Sequence, residues 1–179
     1  MAALVRLTSL DLAFGWNLIS LPLIPDVAAI GPMLASIADN VDVVWGYDPV
    51  NSPDDPWAAY KPGVTEDDLT KMVDGMGYWI YMTSPGTLTV SGVELPEPPA
   101  VPPTYGVVSG WNLIGFKSIV DIDNDVYLAN IAPYTILWGY EADGGYFSVY
   151  PMGEHDGDME VGHGYWLWAT SEGIIVLPQ

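Results

Sequence analysis

The stretch "GWNLIS" at residues 15–20 returns as "GWNLIG" at residues 110–115. A reaction centre is seldom needed twice in one short chain, whereas a building block often is. Three more matches follow in the same order. "VVWGYD" (43–48) returns as "ILWGYE" (136–141), and "WAAYKPG" (57–63) loosely as "FSVYPMG" (147–153). "GMGYWIYMTSPGTLTV" (75–90) returns as "GHGYWLWATSEGIIVL" (162–177). The spacing between partners shrinks steadily along the chain, so the second copy differs by small loop deletions.

Each copy reads as a strand, a short helix, and three or four further strands. "WNLISLPL" is apolar on both faces and too short for a core helix, so it reads as a buried strand ended by Pro22 and Pro25. Trp16 and Leu18 then face one way and Ile19 the other, and Asn17 and Asn112 need hydrogen-bond partners if enclosed. Val27, Ile30, Leu34 and Ile37 follow helical spacing, with Pro32 restricting the start and Asn40 near the end. "DNDVYLANIA" fills the same slot in the second copy. "VDVVWGYD" and "WAAYKP" predict one hairpin. "GYWIYM", the turn "TSPG" and "TLTV" predict another, echoed by "GYWLWA", "TSEG" and "IIVL".

Between the copies, "VELPEPPAVPPTYG" (93–106) carries five prolines. Proline lacks the N–H that a central strand needs, so this run reads as a semi-rigid extended connector. The expected architecture is therefore mainly β, a β-rich α+β chain of two tandem homologous subdomains. They span 1–92 and 107–179, joined by the 93–106 linker and related by a pseudo-twofold. Each comprises short antiparallel strands and one short helix, and a unit this small gains by packing on its twin.

Composition removes several function classes. Four basic residues face 23 acidic ones, for a net charge of −19 over 179 residues, and the acids are shared between both copies. Nucleic-acid binding needs Lys and Arg to displace counterions, and an anionic membrane surface would repel this chain. Such a field favours solubility, cations and basic partners. Cysteine is absent, which excludes disulfides and thiolate metal sites. No run of 18 apolar residues predicts a membrane span. The opening "MAALVRLTSLDLAFG" alternates like a strand and reads poorly as a signal peptide, which leaves either a protein that stays inside the cell or, the favoured expectation, a segment of a longer precursor.

Three groups of residues are candidates for chemistry. "DIDND" brings Asp121, Asp123 and Asp125 together at the spacing that opens a calcium loop. The sixth and twelfth loop positions hold Val126 and Ala132 rather than Gly and Glu, so helix capping is the simpler reading. Asp121 aligns with Asp26 in the first copy. "EHDGDMEVGHG" gathers Glu154, His155, Asp156, Asp158, Glu160 and His163, a possible divalent-metal set that reads more simply as a solvated loop. The third group is aromatic. Alternation places Trp79 and Tyr81 opposite Tyr78, Ile80 and Met82, and Trp166 and Trp168 opposite Tyr165 and Leu167. Trp and Tyr along one strand face can form a ligand platform for sugar rings or can fill a core. The recurrence of Trp16, Trp45 and Tyr47 makes most of the aromatic set read as core. No nucleophile constellation or phosphate-binding loop stands out.

"GWNLISLPL", "VVWGYD", "YKPG" and "GMGYWIYM", in that order, resemble the GWNLIS-type β-rich repeat of bacterial and archaeal secreted and cell-surface proteins. The second copy departs at "GFKS" (115–118), where the first has "SLPL" (20–23). The resemblance implies an extracellular or cell-surface module for display, adhesion or assembly, without catalytic residues or cofactor. Expected partners are other protein domains, copies of itself or glycans. The alternatives are a carbohydrate-binding module using Trp79, Tyr81, Trp166 and Trp168, and a calcium-stabilised domain or metal-dependent enzyme.

Overall fold

The structure is a computed structural model that describes residues 4–94, 102–131, 133–151 and 157–178. Among them the chain is mainly β. The first half runs β1 (Val5–Leu12), β2 (Gly15–Ser20), β3 (Ile24–Pro25), α1 (Ile30–Met33), β4 (Val41–Tyr47), β5 (Trp57–Tyr60), β6 (Gly77–Met82) and β7 (Gly86–Val93). The second runs β8 (Thr104–Val107), β9 (Gly110–Gly115), β10 (Ile122–Asp123), α2 (Asn124–Tyr127), β11 (Tyr134–Glu141), β12 (Gly145–Tyr150), β13 (Asp158–Met159), β14 (Gly164–Ala169) and β15 (Gly173–Val176). No helix among the described residues is long and apolar enough to cross a membrane.

Each half has a four-stranded antiparallel sheet with the same strand order, β2-β6-β4-β5 and β9-β14-β11-β12. The hairpin expected of residues 77–90 does not form, nor does its echo at 164–177. β7 instead pairs with β1 and β3, and β15 with β8. The reason is edge availability: β6 already has β2 and β4 on its two sides, and β14 has β9 and β11. "TSPG" and "TSEG" therefore mark corners where the chain leaves the large sheet for a small one. At the ends of the proline-rich stretch, Val93 pairs with Val5 and β8 takes Thr104–Val107. Residues 95–101 lie outside the described residues.

The core of the first half sits between its two sheets. Leu10 and Leu12 from β1 and Leu88 and Val90 from β7 pack with Ile19, Val44, Tyr78 and Ile80 of the large sheet. Val107 and Ile175 meet Ile114, Leu137, Tyr165 and Leu167 in the second. The corner from small sheet to large sheet is held by the asparagine of the repeated motif. Asn17 Oδ1 accepts from the Ala13 N–H at 2.9 Å, and its Nδ2 donates to the Ala13 and Gly15 carbonyls. Asn112 does the same with Val108 and Gly110.

Both helices are single turns, shorter than the spacing suggested. Ile30, Leu34 and Ile37 are buried as predicted, but Val27 is half exposed ahead of the helix. After the Leu34 N–H to Ile30 bond the ladder tightens, the Ala35 N–H donating to the Pro32 carbonyl three residues back at 3.3 Å, and Ala29 at the N-cap offers no side-chain bond. Asp26 is engaged elsewhere, accepting from the Ser91 hydroxyl at 2.6 Å.

The two halves meet through reciprocal contacts. The Ser20 N–H donates to the Gly162 carbonyl at 2.8 Å, and the Gly115 N–H donates to the Gly75 carbonyl at 3.0 Å. Ile19 bridges His163, and Ile114 bridges Met76. Gly77 and Gly164 explain the Gly-x-Gly-Tyr-Trp signature by close approach. A Cβ on Gly164 would lie 2.7 Å from the Ile19 carbonyl oxygen and 3.2 Å from Leu18 Cδ1. One on Gly77 would lie 2.9 Å from Leu113 Cγ and 3.0 Å from the Ile114 carbonyl oxygen. The second glycine of each Gly-x-Gly therefore makes room for the other half's "LI". Ser20, fully buried, donates to the His163 carbonyl at 2.7 Å and accepts from the Phe116 N–H at 3.0 Å.

Candidate functional site: twin aromatic clefts

None of the eight tryptophans belongs to either core cluster. The fully buried aromatics are Tyr78, Tyr127, Tyr165 and Phe116. This corrects the expectation that most of the recurring aromatic set is core. Alternation does separate Trp79 from Tyr78, but only the tyrosine face is covered by the small sheet of its own half. Trp16, Trp45 and Trp57 remain 37–41% exposed, and Trp79 and Trp166 are half-buried.

The uncovered faces of the two large sheets meet each other instead. Trp79 packs edge-on against Tyr140 with ring centroids 4.8 Å apart, and Trp166 against Tyr47 at 5.2 Å. Trp79 also meets Tyr146 at 6.0 Å, and Trp166 meets Trp57 at 5.9 Å. Between these contacts lie two clefts. One, of about 480 Å³, is lined by Trp16, Trp45, Trp57, Trp79, Tyr140 and Tyr146. The other, of about 420 Å³, is lined by Tyr47, Trp57, Trp111, Trp138, Tyr146 and Trp166.

The two linings correspond residue for residue. Trp16, Trp45, Trp79 and Tyr140 map onto Trp111, Trp138, Trp166 and Tyr47 through the sequence matches. Trp57 and Tyr146 exchange roles and line both clefts. Strand register shows this last correspondence: Tyr47 faces Trp57 and Tyr140 faces Tyr146. The sequence alignment had put Trp57 beside Phe147. The slip of one residue arises at the register shift between Leu137 and Trp138. Phe147 instead packs against the second core, next to Gly139.

Among the described residues, both clefts are lined by aromatic side chains alone, whose polar atoms are indole N–H and phenol groups. No basic side chain among the described residues lines either one. Arg6 pairs with Glu94, and Lys61 pairs with Asp42 at 3.5 Å. Lys117 is buried, and that burial lowers its pKa against the opposing pull of Asp74 and Glu94. Acids follow the lining tyrosines at matching places, Asp48 after Tyr47 and Glu141 after Tyr140. Partial burial against the neighbouring rings raises the Tyr146 phenol. Shape and chemistry suit binding: the volumes fall in the usual range for small-molecule clefts.

Of the four aromatics singled out by sequence, Trp79 and Trp166 stand in the clefts. Tyr81 and Trp168 stack beside Trp16 and Trp111, each at 5.1 Å, and line neither cleft. Sequence reasoning missed the contributions of the other sheet, above all Tyr140 and Tyr47. The signal available was that "WGY" recurs with Trp and Tyr on one strand face in both copies.

The acidic candidates are dispersed into backbone duties. Asp123 is the N-cap of α2, accepting from the Asp125 N–H at 2.8 Å. Asp121 accepts from the Val161 N–H at 2.9 Å, and Asp125 from the Tyr134 hydroxyl at 3.2 Å. Capping thus accounts for one of the three acids. Asp158 is exposed opposite Asp123 in the β10–β13 pair. His163 sits at the junction with Nε2 3.7 Å from Glu160. Glu154, His155 and Asp156 lie outside the described residues. Among the described residues, no three of His, Asp and Glu gather around a common point.

No family model, curated protein or solved structure matches this chain.

Proposed function

We propose that this chain is a non-enzymatic interaction module of a secreted or cell-surface protein, of the GWNLIS-type repeat, and that it recognises ligands in its paired aromatic clefts. The halves are a tandem duplication related by a pseudo-twofold, an arrangement supported by the reciprocal contacts of Ser20 and Gly115 with Gly162 and Gly75. One observation carries the functional reading: both clefts are built from matching aromatic positions, and those positions are left out of the core. Large aromatic surface kept accessible in a cleft is characteristic of recognition sites.

The test is a titration of intrinsic Trp fluorescence with a panel of glycans, proline-rich peptides and organic cations. Trp79→Ala and Trp166→Ala are run beside the native chain. A saturable response weakened in each variant supports the reading. A panel without any response, from a chain with native circular dichroism, overturns it.

A carbohydrate-binding module is the second reading, favoured by the exposure of the Trp16, Trp45 and Trp57 indoles. A glycan array with Trp166→Ala as the control decides it, and no binding to any sugar removes it.

A further inference from the structure

We infer that the two clefts are cages for methylated ammonium groups, such as a trimethylammonium headgroup, one per cleft. This rests on the reading of the clefts as recognition sites. Three observations narrow the ligand class.

The first is the angle between the walls. In the larger cleft, Trp16 meets Trp79 at 89°, Trp45 meets Trp57 at 83°, and Trp79 meets Tyr140 and Tyr146 at 71° and 74°. In the smaller, Trp111 meets Trp166 at 82°, Trp166 meets Tyr47 and Trp57 at 61° and 63°, and only Trp111 and Trp138 lie nearer to parallel, at 38°. Rings set nearly at right angles form the sides of a box, whereas a pyranose ring stacks on a flat platform. A compact, convex group such as trimethylammonium touches several ring faces at once.

The second is the absence, among the described residues, of charged, amide or aliphatic-hydroxyl side chains from the lining. A sugar brings many hydroxyls that each need a partner once desolvated, and unpaired ones cost affinity. A quaternary ammonium has no N–H to satisfy, so a purely aromatic lining suffices.

The third is charge. Ring faces carry negative potential and attract cations placed over them, and indole does so best. The chain's net charge of −19 adds a field of the same sign, and among the described residues no basic side chain stands in either lining to oppose it. An anionic or phosphate-bearing ligand meets the opposite situation.

The full chain is titrated with choline and with the neutral alcohol in which a tert-butyl group replaces the trimethylammonium. Binding is read by Trp fluorescence and calorimetry. Choline is expected to bind at two sites and about tenfold more tightly than its neutral isostere. Trp79→Ala and Trp166→Ala should each remove one site and spare the other, so the surviving site reports an intact fold. Equal binding of choline and the isostere overturns the cation inference and leaves aromatic recognition standing. Saturation by a glycan or a proline-rich peptide, with no response to choline, also overturns it. Silence of the whole panel overturns the recognition reading beneath it.

Discussion

Gly164→Ala tests whether the halves are locked as closely as the reciprocal contacts indicate. The new methyl carbon would sit 2.7 Å from the Ile19 carbonyl oxygen and 3.2 Å from Leu18 Cδ1. The nearer neighbour is backbone, in a strand whose next residue is hydrogen-bonded across the same junction, so it cannot rotate away as a side chain could. Relief requires the halves to part by some tenths of an ångström. Forcing a methyl into a filled contact costs about 1–3 kcal/mol. Replacing Gly at an allowed φ returns about 0.4–1 kcal/mol by restricting the unfolded chain. The net expectation is a loss of about 1–2 kcal/mol in urea denaturation followed by Trp fluorescence. Gly31→Ala is the control, because its Cβ would meet only the Tyr60 hydroxyl at an ordinary 3.6 Å within α1. That variant should hold or gain up to about 1 kcal/mol. Combining Gly164→Ala with Gly77→Ala should cost less than the two separate losses together, since the first already loosens their shared junction. A neutral or stabilised Gly164→Ala would refute the tight junction.

Asn17→Ala should destabilise the chain by about 1–3 kcal/mol, because the Ala13 N–H and carbonyl lose their shared partner in a half-buried corner. Asn112→Ala should cost a similar amount, and urea titration of both reads the result. A pH series should show stability draining above about pH 10. Burial raises the Tyr78, Tyr127 and Tyr165 phenols more than their hydrogen bonds from Val73, Lys117 and Glu160 lower them. Unfolded phenols release their protons near pH 10 while the folded ones retain them. Full stability is thus present below that value, and the slope above it approaches about 1.4 kcal/mol per pH unit for each phenol. A urea midpoint unchanged between pH 10 and 11 contradicts the burial of these groups. Excess EDTA should leave the melting temperature unchanged, because Asp121 and Asp123 are held by backbone N–H groups; a fall of several degrees would restore the calcium reading.

The mainly β character and the positions of the principal strands were legible because they rest on short-range signals. Alternation in "GYWIYM" sorts Tyr78 from Trp79, and Gly and Pro punctuate the strand ends. What stayed hidden depends on non-local pairing. Nothing within "GYWIYMTSPGTLTV" says that β6 has both edges occupied, so the turn looked like a hairpin rather than a corner. Alternation likewise defines two faces without saying which one a distant element covers. The recurring Trp16 and Trp45 therefore read as core, although the small sheets cover the opposite face. The helix spacing around Ile30, Leu34 and Ile37 found the buried positions but not the single turn that carries them. As for the site, Trp79 and Trp166 were legible from their own strands. Tyr140 and Tyr47 were not, since each completes a cleft in the opposite half. The five letters of "GWNLI" take separate duties that only the tertiary structure separates. Gly15 takes the positive φ of 90° at the corner, Trp16 walls a cleft, Asn17 staples the corner, Leu18 lies against Gly164, and Ile19 enters the core and bridges His163.

The central claim, that the tryptophans form two matched recognition clefts rather than a core, is tested most directly by the indole N–H resonances in a ¹⁵N-correlated NMR spectrum. Four tryptophans line the first cleft, three more line the second, and Trp168 lines neither. With choline, glycans and proline-rich peptides added in turn, at least one ligand should move cleft indoles of both halves together and leave the Trp168 signal in place. Cleft indoles that ignore every ligand, or a Trp168 signal that moves as far as theirs, would contradict the account.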